Sequence, residues 1–148
     1  NMLLESKLFK GRVIYLVRDG RAIVHSYRRK YGSWLPGWFN LTSTDRAARR
    51  LKTRFGSNNW LTIRYEDMVT DLEGTLRKIS NFAEINFEPT MLKPDTSNFK
   101  GLGGNNLLKR PIDSIKLDTA WKTEMPTIVR AFTSVTVSSY NRRYGYKN

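Results

Sequence analysis

The stretch Arg12–Tyr27, RVIYLVRDGRAIVHSY, decides the fold. Its first part, Arg12–Val17, is a short apolar run rich in β-branched residues, which suits a buried strand and is compatible with a parallel one. Arg18-Asp19-Gly20 breaks the run. Ala22–Tyr31 then reads as a helix, with Ala22, Ile23, Ser26 and Tyr27 on one face. Strand, polar turn and helix make half of a βαβ unit.

Working outward, Gly32–Thr44 reads as turn-rich, because Trp34, Pro36, Gly37 and Trp38 crowd it. Its tryptophans are taken as core plugs ahead of pocket lining. Asp45–Phe55 reads as a basic helix, and Trp60–Tyr65 (WLTIRY) as a second strand. Glu66–Ala83 carries Leu72, Leu76, Ile79 and Phe82 at helical spacing, the pattern of a core-facing stripe. Pro89–Leu108 is a long glycine-bearing loop. Asp118–Met125 and Pro126–Tyr140 read as closing helices, with Pro126 suited to a helix start. The alternation predicts an α/β class in three layers, with helices packed on a mostly parallel sheet.

Composition narrows the function. The chain has 148 residues, 39% of them hydrophobic and 12% aromatic, which allows one domain with a core rather than a disordered segment. No apolar run approaches the roughly 18–20 residues of a membrane span, so no membrane anchor is visible. Cysteine is absent, which removes disulfides and thiolate metal sites, and one histidine, His25, cannot build a histidine metal site. Lys+Arg number 26 against 13 Asp+Glu, a net charge of +13. Such an excess favours anionic partners: a phosphorylated nucleotide, an acidic polymer, nucleic acid or an anionic membrane. It also fits, as the second choice, a piece of a larger protein whose acidic complement lies elsewhere.

Three constellations can carry chemistry. Arg18 stands at the carboxyl end of the first strand, where open α/β sheets bind ligands, and its planar guanidinium suits a phosphate. Ser26, two turns into the helix, offers a hydroxyl, and the helix N-terminus offers free N–H groups. The same corner also fits an ordinary junction, with a solvated Arg18 and a capping Asp19. The second constellation is Arg64–Asp67, RYED. There Tyr65 can stack on a base, and Glu66 and Asp67 read as helix-opening residues ahead of acid/base catalysts. The third is Gly103–Arg110, GGNNLLKR, with glycines for close backbone approach and Lys109 and Arg110 as cations, or simply a surface loop. No GxxxxGKS or GxxxxGKT phosphate loop occurs.

Together these residues resemble the sulfotransferases that use 3′-phosphoadenosine-5′-phosphosulfate. VIYLVRDGRAIVHSY is similar to that family's 3′-phosphate motif, RYEDM to its YED segment, and GGNN followed by DTAW to its C-terminal pattern, with YNRRYGY at the usual chain end. The form of RDGR resembles the broad microbial and carbohydrate-modifying branch. The resemblance implies a P-loop-NTPase-like sulfotransferase fold, of which residues 1–148 would be the C-terminal part and the N-terminal half would be missing. It implies donor-binding roles for Arg18 and Ser26 on the 3′-phosphate and Tyr65 on the adenine side, with Lys109 and Arg110 supplying charge where Leu108 replaces the family's arginine. No catalytic residue is expected in this chain, His25 being read as a neutral filler, and no metal is expected. The implied reaction moves a sulfuryl group to a hydroxyl- or amine-bearing acceptor, carbohydrate included. The competing class is a non-catalytic basic module for anionic polymers, glycosaminoglycan or nucleic acid, although no nucleic-acid motif is recognisable. The compartment stays open: cytoplasm for a microbial protein, Golgi lumen if an upstream anchor exists.

Overall fold

A computed structural model describes residues 11–93 and 116–147. Two compact units emerge, one from the described parts of Asn1–Tyr65 and Asp118–Asn148, the other from those of Glu66–Leu117.

In the first unit, β1 (Val13–Val17) and β2 (Trp60–Arg64) pair in parallel, in a register that sets Val13 against Trp60 and Val17 against Arg64. Between them run α1 (Gly20–Tyr31) and α2 (Leu35–Phe55), the crossover that a parallel pair requires. This is the expected α/β class with a small parallel sheet. The strand β1, expected to be buried, is buried on one face only. Val17 is 2% exposed and Tyr15 packs on Trp60, whereas Ile14 and Leu16 are exposed. Alternate side chains leave opposite faces of a strand, and no described element covers that second face.

The helix α2 corrects the expectation of a turn-rich Gly32–Thr44. It begins ten residues before Asp45, at Leu35, and takes Pro36 into its first turn. Proline costs nothing there, since that N–H has no helical partner. Gly37 has a different reason. A Cβ at Gly37 would lie 2.9 Å from the Val24 Cα, so only a bare backbone lets α1 and α2 cross this closely.

The core of this unit joins Val24 and Leu41 to Val137 and Tyr140, with Trp34 and Trp38 packed around them. A second cluster holds Ala22, Trp121 and Met125, and Trp34 touches both. The expected α1 face is corrected accordingly. Helix α1 starts at Gly20 and buries Gly20, Ala22, Val24 and His25, while Ser26 points outward. The closing helices are shorter than the pattern suggested: α5 (Trp121–Glu124), α6 (Thr127–Thr136) and α7 (Ser138–Arg143). The break falls at Val137, which is 3% exposed and held in the core at φ −95°, ψ 5°.

The chain end ties this unit together. Asp45, buried in α2, accepts hydrogen bonds from Arg143 Nη1 (2.7 Å), Tyr144 Oη (2.7 Å) and Arg49 Nε (3.2 Å). Tyr146 Oη donates to the Val17 carbonyl at 3.3 Å.

The second unit contains α3 (Tyr65–Thr70), whose first residue belongs to the first unit, and α4 (Leu72–Ala83). A continuous helix from Glu66 to Ala83 was expected. Asp71 interrupts it, because its carboxylate accepts the Gly74 N–H at 2.9 Å and caps a new helix. Leu72, Leu76, Ile79 and Phe82 are half-buried, and the Ser80 hydroxyl lies 3.9 Å from the Met91 sulfur.

Candidate anion-binding site

Strand β1 delivers Arg18 and Asp19 to its carboxyl end, and both become fixed there. Asp19 caps α1 by accepting the Arg21 N–H at 2.9 Å, and it pairs with the Arg21 guanidinium at 2.7 Å. Asn141, fully buried, bridges the same corner. Its Oδ1 accepts the Gly20 N–H at 2.9 Å, and its Nδ2 donates to Asp19 Oδ1 at 3.2 Å. This corrects the expectation of free N–H groups at the helix start. Gly20 and Arg21 already have acceptors within the protein, Asn141 for the first and Asp19 for the second.

Side chains beside α1 converge on Asp118. Arg18 Nη2 lies 3.2 Å from Asp118 Oδ2 and donates to the Asp118 carbonyl, also at 3.2 Å. The Arg18 guanidinium stands 4.8 Å from the centre of the Tyr65 ring, a stacked cation–π arrangement. Arg29 Nη1 approaches the same Oδ2 at 3.7 Å. The other carboxylate oxygen, Oδ1, accepts the Ala120 N–H at 3.1 Å. Burial by itself would raise the Asp118 carboxyl, but the Ala120 N–H and the two guanidiniums outweigh it and hold it below the usual range. Two cations share one carboxylate, so these three side chains together keep a net positive charge.

The structure therefore brings Arg18 and Tyr65 together. Ser26 is exposed on α1, one turn before Arg29 and on the same flank, and its hydroxyl has no partner among the described residues. Lys109 and Arg110 lie outside the described residues. Glu66 and Asp67 fall in the first turn of α3, as their reading as helix-opening residues requires. His25 is buried against Trp34, and its Nε2 lies 3.3 Å from Glu124 Oε2. Nearby, Arg21 covers the Trp121 ring at 4.4 Å and, with Lys122 and Arg130, lines a pocket of about 420 Å³.

Sequence reasoning missed Arg29 and Asn141. Arg29 was within reach, since it follows Ser26 at helix-neighbour spacing. Asn141 carried no local signal, because its partners lie more than a hundred positions away. Among the described residues there is no group of three or more His, Cys, Asp or Glu that could hold a metal, and no helix is long and apolar enough to cross a membrane.

Residues 10–89 match the sulfotransferase family. Among solved structures, the sulfotransferase domain of the Synechococcus PCC 7002 olefin synthase superposes with a TM-score of 0.70 at 22% identity, covering 93% of this chain and 50% of that one. The sulfotransferase domain from the curacin biosynthetic pathway gives 0.65 at 20% identity, covering 93% of this chain and 54% of that one. The chain thus spans about half the length of the solved domains whose fold it shares. No curated protein sequence matches it.

Proposed function

The chain belongs to the sulfotransferase family, and on that premise we propose that it forms the 3′-phosphate and adenine side of a site for 3′-phosphoadenosine-5′-phosphosulfate. The observation that carries this reading is the pair of guanidiniums, Arg18 and Arg29, aimed at one carboxylate oxygen of Asp118. Residues that already hold a carboxylate between two arginines fit a phosphate in the same place, because guanidinium N–H pairs match both oxyanions. Ser26 would add a hydroxyl donor from the α1 flank. Tyr65 braces Arg18 from the other side and leaves an aromatic edge for the adenine.

The donor supplies an activated sulfuryl group for in-line transfer to a hydroxyl or amine, carbohydrate hydroxyls included. Reactions of this type rest on positioning and on cations that stabilise charge on the transferred oxygens. The work of this chain in that scheme is binding and orientation. Arg18 and Arg29 anchor the far end of the nucleotide, and the rigid β1–α1 corner, locked by Asn141 and Asp19, keeps the anchor in register. The groups that handle the sulfuryl end and the acceptor proton are not among the residues named here.

The test compares adenosine 3′-phosphate with adenosine 5′-phosphate by calorimetry on the chain. The 3′-phosphate should bind in clear preference. Arg18→Ala should remove a charge-assisted contact of roughly 1.5–3 kcal/mol, or about ten- to a hundredfold in Kd. Ser26→Ala should cost less, about 1 kcal/mol. Equal affinity for the two nucleotides, together with no effect of Arg18→Ala, would place the anion elsewhere.

A further inference from the structure

We propose, resting on the reading above, that the Asp118 carboxylate occupies the place of the nucleotide's 3′-phosphate between Arg18 and Arg29 and leaves it when that phosphate binds.

The geometry supports a stand-in. One oxygen, Oδ2, faces both guanidiniums, at 3.2 and 3.7 Å. Without it, two like charges would face each other across the flank of α1. Arg18, whose side chain is only 22% exposed, would lose its carboxylate there. A negative group at this point therefore keeps both arginines extended toward a common centre before any ligand arrives. That is pre-organisation, which lowers the ordering cost of binding.

The same geometry makes the stand-in removable. The Asp118 side chain is 37% exposed and Arg29 is 59% exposed, so both have solvent to move into. Exposed ion pairs of this kind are weakly held. Asp118 has an alternative anchor, since Oδ1 accepts the Ala120 N–H at the start of α5 and can keep that bond while Oδ2 swings away. Arg18 also donates to the Asp118 main-chain oxygen, a contact that holds the arginine in place whatever the carboxylate does. A phosphate dianion brings more charge and more acceptor oxygens than one carboxylate oxygen, so it wins the exchange. Asp118 is thus a positioning residue: it sets the empty clamp and imposes a competition that only a doubly charged group overcomes, which favours phosphate over carboxylate ligands.

Asp118→Asn tests this, because the amide keeps an oxygen for Ala120 and removes the charge. It should bind adenosine 3′-phosphate about fivefold more tightly, equivalent to roughly 1 kcal/mol, with adenosine 5′-phosphate unchanged. Arg29→Gln should weaken only the 3′-phosphate. A second measurement uses the unmodified chain: the Asp118 carboxyl, titrated by carbon NMR, should move up toward ordinary carboxylate values when adenosine 3′-phosphate saturates the site. Weaker 3′-phosphate binding by Asp118→Asn, or a carboxyl titration that ignores the ligand, would overturn the stand-in while leaving the clamp intact. An unmodified chain that does not distinguish the two nucleotides would overturn the clamp, and the stand-in with it.

Discussion

Replacing Asn141 by alanine should loosen the corner on which the whole site is built. The side chain is fully buried and makes two hydrogen bonds, one from the Gly20 N–H at 2.9 Å and one to Asp19 Oδ1 at 3.2 Å. Truncation leaves the buried Gly20 N–H without an acceptor, which costs roughly 1–3 kcal/mol. Asp19 keeps its four contacts from Arg21, so its lost bond adds less, about 1 kcal/mol. Together with the small void, the expected loss is about 3 kcal/mol, against a total stability of roughly 5–15 kcal/mol for a domain. Urea unfolding followed by tryptophan fluorescence should show the midpoint falling by roughly 1–2 M. Asn58→Ala, at an exposed position in the turn before β2, is the control and should leave the midpoint in place. Asn141→Asp adds a sign test. Its carboxylate could still accept from Gly20 but would face Asp19, so the damage should ease as pH falls and one carboxylate protonates. Equal midpoints for Asn141→Ala and Asn58→Ala would refute the claim that this side chain holds the start of α1.

Two further outcomes follow from packing and charge. Gly37→Ala should lower stability by about 1–3 kcal/mol, because its Cβ would press the Val24 backbone at 2.9 Å, and thermal unfolding would register this as a lower Tm. Burial, followed by the hydrogen bond to Asp45 and that carboxylate's charge, pushes the Tyr144 hydroxyl up from its ordinary value of 10.0. A raised folded-state pKa gives stability that is complete below pH 10 and is withdrawn as pH climbs toward the folded value. Burial raises Tyr15 as well, so alkaline destabilisation should set in above about pH 10. Tyr144→Phe should flatten it in denaturant midpoints measured across that range. A profile identical to that of the unmodified chain would show that the buried tyrosine does not govern it.

Much of the frame was legible before any coordinates. The run of β-branched residues at Val13–Val17 and the helical spacing that follows point to a strand and a helix, because both signals repeat within a few residues. Arg18 at the strand end and Tyr65 after the second strand were legible for the same reason. The start of α2 was not. Tryptophan, proline and glycine together read as a turn, yet proline is harmless in a first turn, and Gly37 is demanded by a helix that lies elsewhere in the chain.

What the sequence determined by itself was therefore local: the order of strands and helices, the excess of positive charge, and the arginine at the sheet's carboxyl end. The tertiary structure alone decided what that arginine faces. Arg18 meets Asp118 across a hundred positions, Gly20 gives its N–H to Asn141, and Asp45 gathers Arg143 and Tyr144 from the chain end. Such contacts leave no periodic trace, since hydrogen bonds and ion pairs act over about 3 Å in space regardless of separation along the chain. The start of α1 shows both kinds of contact: Asp19 caps Arg21 from next door in the sequence, whereas the acceptor for Gly20, Asn141, comes from the other end of the polypeptide.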